Sequence, residues 1–301
     1  MKCTHPLIRS LTALLLAAGT ATAVAASFEL PALVTPASTE HHPGKMIWAD
    51  LVTPDVGAAE KFYAGMFGWT FQDMHGAKHE YAIAYLDSRP IAGLIQRETV
   101  SGEEHHSGWL SFLAVSDVAA AEQTALAHGA KLLREPRTYP HRGTQAVLAD
   151  PDGAVFALLA SESGDPPDVL AEPGQWIWSS IHVQNAGTEA AFYQTVFGYE
   201  VYDLASDDGS EHAILSSDGY ARASLNGFPK DAQQHHPHWL NFIRVADADS
   251  MAAKAVTLGG KVLVEPRVDR HGDKIAVVAD PTGAAIGLME WSDAKTQQVQ
   301  P

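Results

Sequence analysis

Two histidines, one aspartate and two arginines stand where their type and surroundings could support chemistry. His182 and His238 each lie in an alternating apolar stretch. An imidazole there could move a proton near neutral pH, or the two could share a divalent metal. Arg222 and Arg244 lie close by in sequence pattern, and their charge favours an anion over a cation in that setting. Asp50 follows Trp48 by two residues, on the same face of an alternating stretch that neighbours Tyr81 and Tyr85. Burial would raise its pKa and make it a candidate base. The same carboxylate could equally accept a structural hydrogen bond from a Tyr or a backbone amide. The pairs His105-His106 and His235-His236 are flanked by Gly, Gln, Ser and Pro, which predicts exposed loops, since adjacent imidazoles rarely converge on one ion. His141 and His271 fall beside glycines in a turn that could rim a cleft. There is no nucleotide-binding glycine pattern, no nucleophile elbow and no paired catalytic carboxylates.

The elements that would position these groups come twice. Trp48, Phe62-Tyr63, Phe67-Gly68, Trp109-Leu110, Phe112, Glu135-Pro136-Arg137 and Asp150-Pro151 recur as Trp178, Phe192-Tyr193, Phe197-Gly198, Trp239-Leu240, Phe242, Glu265-Pro266-Arg267 and Asp280-Pro281, always 130 residues on. A constant offset of this length identifies a duplicated unit and leaves almost no room for net insertion.

Within a unit, alternation over Met46–Thr53 predicts a strand. Ala59, Phe62, Tyr63 and Met66 form one apolar helical stripe. Asp55 can cap that helix and Gly68 can stop it. Trp69–Met74, Tyr81–Asp87 and Ile91–Gln96 read as strands. The order restarts with a strand at Trp109–Val115, a helix at Val118–His128, and strands at Lys131–Arg134, Thr144–Ala149 and Val155–Ala160. Asp150–Gly153 and Asp280–Gly283 are tight-turn signals.

Strand-helix-strand-strand-strand thus occurs four times. Two such units side by side curl into a cup, with helices on the outer face. Ile47, Ala49 and Leu51 are expected under the helix, with Trp48, Asp50 and Val52 facing the cup. Ile177, Ser179 and Ile181 correspond to the first set, and Trp178, Ser180 and His182 to the second. Arg244 resists burial under a helix, which places His238, Leu240, Phe242 and Arg244 on the cup face, matched by Leu110, Phe112 and Ala114.

Residues 1–26 read as a secretory signal: Lys2 and Arg9, an apolar run over Leu11–Ala18, then Ala23-Val24-Ala25. The expected location is the periplasm or the exterior. Removal takes away Cys3, the only cysteine, and with it any disulfide or thiolate metal site. It also moves the net charge from −16 to −18, because residues 1–26 hold Lys2 and Arg9 and no acid. So acidic a chain disfavours nucleic acid and anionic membrane as partners. Residues 27–43 and 162–174 are aperiodic and rich in proline and acids, and read as linkers around domains 44–161 and 175–291. Residues 292–301 read as a polar tail.

The order of motifs resembles the vicinal oxygen chelate superfamily, which includes glyoxalase I, extradiol dioxygenases and bleomycin-resistance proteins. The resemblance rests on Glu60-Lys61-Phe62-Tyr63 with Phe67-Gly68-Trp69, on Phe192-Tyr193 with Phe197-Gly198-Tyr199, on Val115-Ser116-Asp117-Val118 with Gly129, and on Asp150-Pro151-Asp152-Gly153. It covers nearly the whole chain outside residues 1–26, twice over. It implies an α+β fold of four βαβββ modules forming two domains with cup-shaped mixed sheets. It also implies one divalent metal per active cup, held by His or Glu. Those ligand positions fall on Trp48, Leu110 and Ala157 and on Trp178, Leu240 and Gly287, with a fourth near Gly93 or Ala223. None of the aligned residues is a metal ligand.

The expectation is therefore an exported small-molecule binder without the superfamily's metal or any other cofactor. Its cups would be lined by Trp48, Asp50, Phe112, Trp178, Ser180, His182, His238, Phe242 and Arg244. The alternative is a lyase, isomerase or dioxygenase with a metal relocated to His182 and His238, or with Asp50 as a metal-free base. A third reading gives the cups a purely assembling role between proteins. The oligomeric state is not encoded in any pattern found.

Overall fold

A computed structural model describes residues 29–74, 81–97, 107–203, 211–228, 236–269 and 272–291. The proposed signal, the tail, His105-His106, His235 and His271 lie outside these. The first domain runs β1 (Met46–Thr53), α1 (Val56–Phe67), β2 (Thr70–Asp73), β3 (Tyr81–Leu86), β4 (Arg89–Gln96), β5 (Gly108–Ala114), α2 (Val118–Ala127), β6 (Lys131–Tyr139), β7 (Gly143–Ala149) and β8 (Val155–Ser161). The second repeats it: β9 (Trp176–Val183), α3 (Ala186–Phe197), β10 (Glu200–Asp203), β11 (His212–Ser217), β12 (Tyr220–Gly227), β13 (His238–Val245), α4 (Ala248–Thr257), β14 (Lys261–Val268), β15 (Lys274–Ala279) and β16 (Ala285–Glu290). The expected α+β fold of four βαβββ modules is what forms. No helix among the described residues is long and apolar enough to cross a membrane.

Each domain is one eight-stranded mixed sheet, ordered β2-β3-β4-β1-β5-β8-β7-β6 and β10-β11-β12-β9-β13-β16-β15-β14. The central pair is antiparallel, and each central strand has a parallel neighbour outside it. β6 continues well past Arg134, through Pro136. It can do so because it is a sheet edge, where a missing N–H breaks no ladder bond.

Asp55 caps α1 through the Ala58 amide, and Gly68 ends it in the left-handed region. The buried stripe of α1 is Val56, Ala59, Phe62, Tyr63 and Met66. It does not face its own sheet alone. One core joins α1 to α4 of the other domain, and a second joins α2 to α3, so the helices form the layer between the sheets.

That layer explains the recurring motifs. The Tyr63 hydroxyl donates to Asp280 at 3.1 Å and accepts from the Trp109 indole at 3.0 Å. Tyr193 does the same with Asp150 at 2.9 Å and Trp239 at 3.0 Å. Each domain's hairpin aspartate is thus held by the other domain's helix. At the centre, Ser111 and Ser179 donate to the Asn241 amide oxygen, and its amide nitrogen returns a bond to Ser111.

One face assignment needs correction. Ile47 and Ile177 pack with the cup clusters, not under the helices. Register shifts at Met46/Trp48 and Phe242/Ile243 interrupt the alternation there, and a bulge turns the side chains beside it.

The described residues of the two linkers contain no strand or helix, yet they are packed as straps. Leu30 is 5 % exposed and lies in the first cup's apolar cluster. Ser163 Oγ accepts from the Leu33 and Val34 amides, and Asp165 N donates to the Glu40 carbonyl. The straps therefore support each other.

Candidate functional site

Strand register shows which residues neighbour the ligand positions that the resemblance implies. Asp50 lies opposite Gly93 and Leu110, while Phe112 lies opposite Trp48 and Ala157. In the second sheet Ser180 lies opposite Ser224 and Leu240, and Phe242 opposite Trp178 and Gly287. Near the unaligned fourth position, the register sets Gly93 beside Asp50 in one cup and Ser224 beside Ser180 in the other. A donor set of indole, hydroxyl and hydrocarbon does not fit a divalent ion, which takes imidazole, carboxylate or thiolate. The space is also taken. A Cβ on Gly287 would collide with the Phe242 ring, and one on Gly93 with the Tyr81 hydroxyl and the Asp50 carboxylate.

Asp50 accepts hydrogen bonds of the structural kind expected for it. Its Oδ1 accepts from the Trp48 indole at 2.7 Å and from the Tyr81 hydroxyl at 3.0 Å. Burial raises its pKa, and the Trp48 bond, the Arg142 charge and the Tyr81 bond oppose that rise. Burial first, and then the charge of Asp50, raise the Tyr81 hydroxyl well above its usual range. The second cup carries a neutral version: Trp178 donates to Ser224 Oγ at 3.2 Å, and Ser180 bonds the same oxygen at 2.8 Å.

Sequence reasoning missed Arg142. Its guanidinium lies 3.9 Å from the centre of the Trp48 ring. The repeat held a usable signal, since the matching residue 130 positions on is Gly272. A cation–π contact recovers about 1–2 kcal/mol of the cost of burying such a group.

His182 and His238 were expected two positions apart along the strands. The structure pairs them directly across β9 and β13, with rings stacked 5.0 Å apart at 14°. The difference arises because Trp178 pairs with Phe242 and not with Leu240, which moves the register by two. Phe228 stacks on His182 at 6.2 Å and tilts against His238 at 6.2 Å. His238 Nδ1 is bonded to the His236 carbonyl at 2.8 Å. His212 and Asn226 extend the same rung across β11 and β12. Rings laid face to face form a flat shelf and do not converge their lone pairs on one point.

The arginines hold the second strap. Arg222 forks onto Asp168 at 2.6 and 2.9 Å, and Lys45 reaches the same carboxylate at 2.8 Å. Arg244 donates to the carbonyls of Ala171 and Trp291. Beside Arg244 opens a cavity of about 460 Å³, walled by Pro173, Val268, Gly272, Lys274, Glu290 and Trp291 among others. Asp247, Asp249 and Glu290 approach within 4.8 Å of one another nearby. They are engaged locally: Asp247 caps α4, Lys274 contacts Asp249, and Glu290 accepts from the Ala248 amide.

The fold and these positions define a tandem cup-sheet protein whose chelating residues have been replaced. The profile of the Glyoxalase/Bleomycin resistance protein/Dioxygenase superfamily matches residues 45–158, and that of the Glyoxalase-like domain matches residues 178–289. The chain belongs to this superfamily, with two of its domains in tandem. It is 28% identical over 258 residues to "Putative glyoxylase CFP32" of Mycobacterium tuberculosis, covering 85% of this chain and 98% of the relative. It is 27% identical over 268 residues to the anthracycline biosynthesis protein DauV of Streptomyces sp. (strain C5), covering 85% and 96%. Among solved structures, the Mn(II)-bound glyoxalase of Novosphingobium aromaticivorans superposes with a TM-score of 0.59 at 17% identity, covering 83% of both chains. Homoprotocatechuate 2,3-dioxygenase of Brevibacterium fuscum gives 0.60 at 13%, covering 86% of this chain and 84% of that one. Both share the fold.

Proposed function

We propose that this protein is an exported small-molecule binder that holds its ligand in the second cup without the superfamily's metal. One observation carries the reading: the six aligned ligand positions hold no metal donor, while a cavity of about 460 Å³ lies beside Arg244. Its walls carry the Trp291 ring, the apolar Pro173 and Val268, and the charged Arg244, Lys274 and Glu290. A planar, partly polar ligand suits an aromatic and apolar wall with a few polar groups. The Streptomyces relative's name, tied to anthracycline biosynthesis, supports a planar aromatic class. Export rests on the residue pattern over 1–26 and is tested by N-terminal sequencing of the protein recovered from its host compartment.

The deciding experiment pairs metal analysis with a ligand titration. The untagged protein is recharged in turn with iron, manganese, nickel and zinc, then dialysed. No stoichiometric ion is expected. About one ion per chain, lost in His182→Ala, would establish the relocated-metal enzyme instead. A planar anthraquinone probe is expected to raise the Tm of the wild type. Val268→Trp fills the cavity mouth from a position that is 67% exposed, so it can block the site at little cost to the fold. The Tm rise should vanish in that variant; its survival would place the ligand elsewhere.

A further inference from the structure

The turn between β6 and β7 drives a charged side chain into the first cup. Arg142 is 0% exposed. Its Nε donates to the Pro31 carbonyl at 2.9 Å, whereas Nη1 and Nη2 are buried with no hydrogen-bond partner. Asp50 does not serve them, although it is one of the charges felt at Arg142. The backbone is strained to aim this side chain. His141 stands at φ 65° and Gly143 at φ 109°, where a Cβ would collide with the Ala160 carbonyl. Glu162 fixes the turn by accepting from the His141 amide and donating its own amide to the Arg142 carbonyl. Strain held this firmly marks positions with a task.

The strap above has the outline of an imperfect ligand. Leu30 sits in the cup with Trp48, Tyr81 and Phe112. The Pro31 carbonyl takes one guanidinium N–H. A carbonyl oxygen cannot satisfy both terminal nitrogens, whereas a carboxylate takes two parallel N–H groups at once. We propose that the first cup binds a small carboxylic acid with an aromatic or branched apolar body. Its carboxylate bridges Nη1 and Nη2 of Arg142, and its body takes the place of Leu30 against Trp48. A neutral molecule of the same shape leaves those donors unanswered and binds more weakly. The site is separate from the second-cup reading, because the matching residue there is Gly272.

The test uses the whole mature chain and calorimetric titration with benzoate and phenylacetate against their amides. Each acid is expected to bind once per chain and about tenfold or more tighter than its amide. Leu30→Ala removes the competing side chain and is expected to tighten acid binding several-fold, in line with release of an occupied state. Arg142→Gln is expected to erase the preference for acid over amide. Arg142→Lys, which keeps the charge and loses the fork, is expected to lose most of it and serves if the Gln variant does not fold. Val268→Trp is expected to leave all of this unchanged. Equal binding of acid and amide, a preference that survives in both Arg142 variants, or no acid binding to Leu30→Ala at millimolar concentration would each overturn the proposal.

Discussion

Asp168→Ala is expected to destabilise the protein by about 3–5 kcal/mol, the cost of leaving a buried charge without its partner. The Arg222 side chain is 3% exposed and forks onto Asp168. Lys45 and His42 reach the same carboxylate. Burial alone would raise the Asp168 pKa, but the hydrogen bonds from Arg222 and Lys45 outweigh it and hold the group at about 2. The folded pKa lies below the unfolded one. The stabilisation is therefore complete above the ordinary carboxylate range and is lost as pH falls towards 2. Denaturant unfolding at pH 7 should show the full gap between wild type and variant, and the gap should close on acidification. A variant as stable as wild type at pH 7 would mean that the strap contributes nothing to the fold.

Glu189→Gln is expected to act in the opposite direction. Glu189 is 0% exposed on α3, with its carboxyl set against that of Asp150. Burial, and then the charges of Asp150 and Asp152, push its pKa up to about 9. Asp150 is already committed to Tyr193 and to the Gly153 and Ala154 amides. The folded protein thus keeps a proton that the unfolded chain releases. This contribution is full below the unfolded pKa and drains away as pH rises towards 9. The variant needs no proton, so it should gain on the order of 6 kcal/mol over wild type at pH 9 and nothing at pH 4. Parallel Tm curves for the two proteins from pH 4 to 9 would refute the account.

The duplication and the alternation of apolar residues made the fold legible. Met46–Thr53 and the stripe Ala59, Phe62, Tyr63, Met66 each depend on local period alone, and both form as expected. The cup-face expectation for Trp48, Asp50, Trp178 and Ser180 came from the same period, and that for Phe242 and Arg244 from the cost of burying a guanidinium under a helix. What local pattern could not supply was register. Pairing Trp178 with Leu240 by analogy put the histidines two positions apart, whereas the ladder pairs Trp178 with Phe242. The straps were also hidden, because aperiodic sequence looks the same whether it is solvated or packed; only long-range bonds such as Arg222 to Asp168 distinguish the two. Arg142 stayed out of view because a lone arginine in a turn is ordinarily solvated, and its burial depends on Leu30 and Pro31 from a distant stretch.

The two crossed tyrosine–aspartate bonds make each domain the donor and the recipient of the same contact. A half made as a separate polypeptide would carry an unmatched tyrosine, an unmatched hairpin acid and a bare helical face, all complementary to a second copy of a like half. Such an interface is isologous in form, so the ancestor of either half could have lived as a homodimer before the genes fused. The peptide connection is then expected to be dispensable for recognition: residues 27–174 and 175–301, co-expressed as two chains, should co-purify as one particle.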